Sequence, residues 1–88
     1  MTEERIIEIM QSEDIQTKFP DECNVFAGLK IVCKYLPKRG ICGCGHEVVY
    51  SADISELAET EITEDEVKKL REMNWMYDED CECLACFV

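Results

Sequence analysis

Between residues 25 and 36 the apolar side chains Val25, Phe26, Leu29, Val32, Cys33 and Leu36 recur at i, i+1, i+4, i+7, i+8 and i+11, which lines one face of an α-helix. Lys30 and Lys34 fall off that stripe, Asp21 or Glu22 complements the positive end of the helix dipole, and Pro37 blocks continuation. A helix here, its stripe roofed by the rest of the chain, is the expected organising element. Upstream, Thr2 is placed to cap a first helix with Glu3 and Glu4 in its opening turn and Ile6, Ile7 and Met10 on its apolar face, ending near Gln11 or Ser12. Ser12-Glu13-Asp14 and Phe19-Pro20-Asp21 form the connection, because Pro20 forces Phe19 into an extended conformation; Ile15 and Phe19 are its expected anchors.

Past Pro37, three glycines in the stretch 40–45 predict a conformationally permissive loop. Glu47-Val48-Val49-Tyr50 then predicts a strand ending near Ser51, and its adjacent valines place it centrally, covered on both faces. Ile54, Leu57 and Ala58 are at helical spacing, consistent with one short turn from Asp53 or Ser55. The next helix start is better specified. Thr63 and Glu66 have capping-box spacing, Ile62 and Val67 that of a hydrophobic staple, Val67, Leu70 and Met73 mark the buried stripe, and Asn74 suits a left-handed C-terminal cap. Trp75-Met76-Tyr77 and the apolar run 81–88 flank Asp78-Glu79-Asp80, predicting a hairpin with a four-residue turn. The expected fold is α+β, ordered α-α-β-α-β-β: one small α/β domain over residues 1–88, three helices on one face of a two- or three-stranded sheet whose other face is charged.

Charge narrows the choice of partner. Twenty acids against nine bases give a formal net charge of −11, which disfavours direct contact with nucleic acid or an anionic membrane and favours a protein partner with a basic surface. The charge is also segregated: −5 over residues 1–22, +4 over 23–46 and −10 over 47–88. Lys30, Lys34, Lys38 and Arg39 are therefore expected to offset acids brought in from the other segments. No apolar run reaches the ~18 residues of a membrane span, and Thr2-Glu3-Glu4 does not open a leader of basic then apolar residues; a cytoplasmic location is expected. The seven cysteines then read as free thiols or metal ligands, with disulfides disfavoured by a reducing compartment.

Cys42, Cys44 and His46 are the candidate metal ligands, since zinc takes thiolate and imidazole donors in a tetrahedron; a fourth donor has to come from Cys23, Cys33, Cys81, Cys83 or Cys86. Their one-residue spacing departs from the Cys-x-x-Cys of zinc ribbons. In a regular strand, Cys81 and Cys83 share one face and Cys86 lies on the other, so these three do not converge. A thiol enzyme has to use Cys44 with His46, the single histidine, and no residue in the sequence is marked to orient that base. No phosphate-cradling loop, Ser/His/Asp set or dinucleotide fingerprint is present. The acids between Glu59 and Glu66 lack the alternation and glycine of a calcium loop and read as a solvated helix start. Trp75, Tyr77, Tyr50 and Phe87 are expected as core and sheet-face aromatics.

His46-Glu47-Val48-Val49-Tyr50, the run Thr63-Glu64-Asp65-Glu66-Val67-Lys68-Lys69-Leu70, Trp75 and an acidic turn ending in Phe87-Val88 together resemble the C-terminal half of small acidic proteins of unknown function encoded by phages and bacteria, over roughly residues 24–88. Cys42 and Cys44 are not part of that pattern, and it assigns no catalytic or binding residue. The resemblance implies a small accessory protein of phage or bacterial cytoplasm. The expectation is a non-enzymatic interaction module binding through its sheet face or an acidic helix surface, with a zinc-binding domain using Cys42, Cys44 and His46 as the alternative.

Overall fold

The computed structural model describes residues 1–87; Val88, the last residue of the predicted tail run, lies outside them. The chain runs α1 (Glu3–Met10), α2 (Asn24–Tyr35), β1 (Gly43–Gly45), β2 (Val48–Asp53), α3 (Ile54–Ala58), α4 (Glu64–Glu72), β3 (Trp75–Asp78) and β4 (Cys83–Phe87). All strand pairs are antiparallel in the order β1-β2-β4-β3, so β4 inserts between β2 and β3. The α+β class is therefore as expected, but the described residues form four helices and four strands in place of three helices and two or three strands: the short helical turn expected after β2 is α3, and β1 is added at the sheet edge.

Register assigns the two faces. Cys44, Val49, Cys86 and Trp75 form one cross-strand row and Leu84 pairs with Tyr77 on the same side. Trp75, Leu84 and Cys86 belong to one core cluster with Ile6, Ile9 and Met10 of α1, Ala27 and Val32 of α2, Ile54 and Leu57 of α3, and Val67 and Leu70 of α4. The four helices thus pack on a single face of the sheet. Gly43, Tyr50, Ala85 and Met76 form a row on the opposite face, with Gly45, Val48 and Phe87 to one side and Asp53, Cys83 and Asp78 to the other.

Local signals account for most helix boundaries. The Thr2 hydroxyl accepts from Arg5 N–H at 3.1 Å, and Asp53 N–H donates to Glu56 Oε1 at 3.3 Å as α3 begins. At α4 the box closes in both directions: Glu66 N–H donates to Thr63 Oγ1 at 3.2 Å, and Thr63 N–H to Glu66 Oε1 at 3.1 Å. The staple residues Ile62 and Val67 are both buried, and Asn74 ends the unit in the left-handed region at φ 70°.

Three expectations are corrected. The glycine-rich stretch contains an edge strand, because the ring of Tyr50 on β2 lies across Gly43 and Gly45, 3.9 and 3.7 Å from where their Cβ atoms would stand, and supplies the packing β1 lacks. On α2 the face against the core carries Ala27, Gly28 and Val32, while Phe26 remains 55% exposed with Lys30 Nζ 5.0 Å from its ring centre. Finally, Ile15 packs against the core but Phe19 is 62% exposed, and the connection is held instead by Lys18 N–H donating to the Glu72 carbonyl at 2.6 Å.

Candidate interaction surface

The Cys42, Cys44 and His46 group sits at the β1 edge and its turn. Gly45 pairs with Val48, leaving His46 and Glu47 as a two-residue turn with φ 65° at Glu47, so the chain reverses just where His46 would have to bend back toward the thiols. The His46 side chain is 96% exposed, with Glu47 Oε1 3.9 Å from its Nε2. Cys42 Sγ lies 3.5 Å from the Arg39 carbonyl, and burial pushes its thiol pKa up although Arg39 opposes the shift. Among the described residues no group of three or more His, Cys, Asp or Glu side chains is placed to hold a metal ion, so Cys42, Cys44 and His46 are not brought together as a ligand set.

Of the other five thiols, Cys23 is exposed at the N-terminal cap of α2 and Cys33 is half-buried within α2, while the hairpin disperses the last three. Cys81 lies in the turn ahead of β4 and is exposed, a departure from the regular strand expected over 81–86; Cys83 faces away from the helices and Cys86 faces into the core. Burial, followed by the neighbouring Cys81 and Asp78, pushes Cys83 up to about 12. Cys86 is also pushed up, mainly by burial, with Asn24 Nδ2 3.3 Å from its sulfur. Neither environment favours a thiolate nucleophile.

Charge is distributed by the fold in a way its total does not reveal. Three of the four cations of the middle segment meet acids from elsewhere: Lys30 meets Glu22 at 2.6 Å, Lys34 meets Glu66 at 3.2 Å, and Arg39 meets Glu56 at 2.9 Å and Asp53 at 3.9 Å, whereas Lys38 makes no ion pair among the described residues. The sheet and its turns, residues 43–53 and 75–87, carry six acids and neither lysine nor arginine. On the face away from the helices, two of these acids, Asp53 and Asp78, flank Cys83 in one row, while the rest of that face is Val48, Tyr50, Met76, Ala85 and Phe87 above the glycines of β1.

That surface was expected to be charged; it carries carboxylates at one end and is otherwise apolar. Val48, Cys83 and Ala85 are buried yet belong to no part of the helix-side core cluster, so they are covered by sheet neighbours such as Tyr50. Phe87 is 55% exposed and Ile41, just ahead of β1, 61%. Alternating sequence signals could not reveal this face, because its width comes from strands far apart in the chain. It defines a small acidic α+β protein with one helix-free sheet face. No family model, curated protein or solved structure matches the chain.

Proposed function

We propose that this protein is a non-enzymatic interaction module that docks an acidic surface on a protein partner with basic character. The supporting observation is the segregation of charge: three cations of the middle segment are engaged by Glu22, Glu56 and Glu66, and the sheet and its turns carry six acids and no lysine or arginine of their own, with Arg39 Nη2 approaching one of them, Asp53, at 3.9 Å. The resemblance to small acidic phage and bacterial proteins suits an accessory role of this kind, in the cytoplasm. No helix among the described residues is long and apolar enough to cross a membrane. The net charge of −11 argues against nucleic acid as the direct ligand.

The test is in-cell crosslinking to recover the partner, followed by affinity measurement across ionic strength. Docking through opposed charges predicts a loss of roughly tenfold or more, mainly in the association rate, between about 50 and 500 mM salt. An affinity indifferent to salt would rule out an acidic docking surface.

A further inference from the structure

We infer that the helix-free face of the sheet is the docking surface, and that its occupant is a protein segment presenting apolar side chains beside lysine or arginine. This rests on the interaction-module reading and adds to it a location and a partner chemistry. The face is built as a shallow apolar floor. Ala85 sits at its centre between Tyr50 on β2 and Met76 on β3, with Val48 and Phe87 in the next row. No helix covers it, since all four pack on the other side through Trp75, Leu84 and Cys86. Ala85 itself is only 3% exposed, closed in between its neighbours, so the apolar surface open to a partner is the half-buried Tyr50 and Met76 on either side of it and the 55% exposed Phe87.

Charge decides which occupant fits. Asp53 and Asp78 stand on this same face at the Cys83 end; Arg39 Nη2 approaches Asp53 only at 3.9 Å and leaves its side chain 48% exposed, Asp78 has no cation partner among the described residues, and the strands and their turns carry six acids and no lysine or arginine of their own. A second copy docking face to face would set two such sheets of like charge against each other, so self-association is opposed. An anionic partner is opposed for the same reason. A partner with leucine- or phenylalanine-type anchors against Tyr50, Met76 and Phe87 and a cation near Asp53 and Asp78 satisfies both the apolar surface and the acids.

The test uses the intact chain, labelled with ¹⁵N and titrated with three designed peptides of equal length that alternate lysine with leucine, lysine with serine, or glutamate with leucine. The lysine/leucine peptide is expected to shift the amides of Tyr50, Met76, Ala85 and Phe87 saturably. The lysine/serine peptide should bind there at least about tenfold more weakly, and the glutamate/leucine peptide should not bind. Phe87→Ser, at a 55% exposed position, should weaken the lysine/leucine peptide several-fold while leaving circular dichroism and Tm unchanged, and Met76→Leu, which keeps the cover over Ala85, should leave both binding and Tm close to wild type. Equal binding of the two lysine peptides at this face would overturn its apolar role, and binding of the glutamate/leucine peptide would overturn the charge argument. Salt-sensitive shifts confined to the acids of α1 and α4 would remove the sheet face but leave the broader acidic-docking reading standing. No response to either lysine peptide would remove both. Concentration-dependent shifts on this face without peptide would identify a second copy as the occupant and overturn the proposed partner.

Discussion

Gly28 is the residue on which the docking of α2 turns. A Cβ added there would stand 2.0 Å from Trp75 Nε1 and 2.2 Å from Cε2, and the fully buried indole has no room to yield. The same approach lets Trp75 Nε1–H donate to the Asn24 carbonyl at 3.0 Å, while Asn24 Nδ2 donates to the Met73 carbonyl at 2.9 Å. The indole and the asparagine thus lock the first turn of α2 to the end of α4 and the start of β3. Alanine is favoured over glycine within a helix by ~1 kcal/mol, but overpacking a filled core costs about 1–3 kcal/mol or more. Gly28→Ala is therefore expected to lower the unfolding free energy by about 1–2 kcal/mol, read from the urea midpoint. An unchanged or raised midpoint would mean that Trp75 is not lodged against this glycine.

At the scale of the element, α4 carries a charge switch in its own cap. Burial disfavours ionisation of Glu66, but hydrogen bonds from the Tyr35 hydroxyl, the Thr63 backbone and the Lys34 ammonium outweigh it and hold the carboxyl to about 2. A carboxylate whose folded pKa lies below its unfolded value stabilises fully above the unfolded value, near 4.5, and loses that contribution as pH falls through about 2. The shift alone corresponds to roughly 3 kcal/mol, and the solvent contact of the surface pairs reduces it to ~1–2 kcal/mol. Glu66→Gln should therefore destabilise by that amount at pH 7, with the gap to wild type closing as pH falls from about 4.5 toward 2. A gap independent of pH would mean that Glu66 acts through its shape as a cap and not through its charge.

Across the whole molecule, the thiols report how cooperatively the two faces of the sheet are held. Cys23, Cys42, Cys44 and Cys81 are exposed, whereas Cys83 and Cys86 are 3% and 0% exposed on opposite faces of β4. A central strand can release both only when its pairing with β2 and β3 breaks. Mass-resolved alkylation near pH 8 should label the four exposed cysteines rapidly, half-buried Cys33 at an intermediate rate, and Cys83 and Cys86 together at the slow rate of global opening. Early labelling of Cys83 alone would mean that the outer face opens independently of the core.

Much of this architecture follows from short-range chemistry and was readable in the chain itself. Thr2, Thr63 and Glu66 meet their partners three residues away, Asn74 takes the positive φ its type tolerates, and the 79–82 turn spans the four residues the acidic run allowed. What lay outside the sequence depends on partners brought together from afar. Periodicity counted Phe26 into the buried stripe, but α2 is seated by its smallest residues, because Trp75, far along the chain, needs the space at Gly28. Glycines at 43 and 45 argued for a loop until Tyr50 supplied the ring that packs on them. Cys42, Cys44 and His46 are near in sequence, yet a reversal at Glu47 separates the imidazole from the strand that carries Cys44. The sequence determined the local conformations, because their energies are local; the tertiary structure alone decided which surfaces the helices cover and that the uncovered one is apolar, because that is a property of register between distant strands.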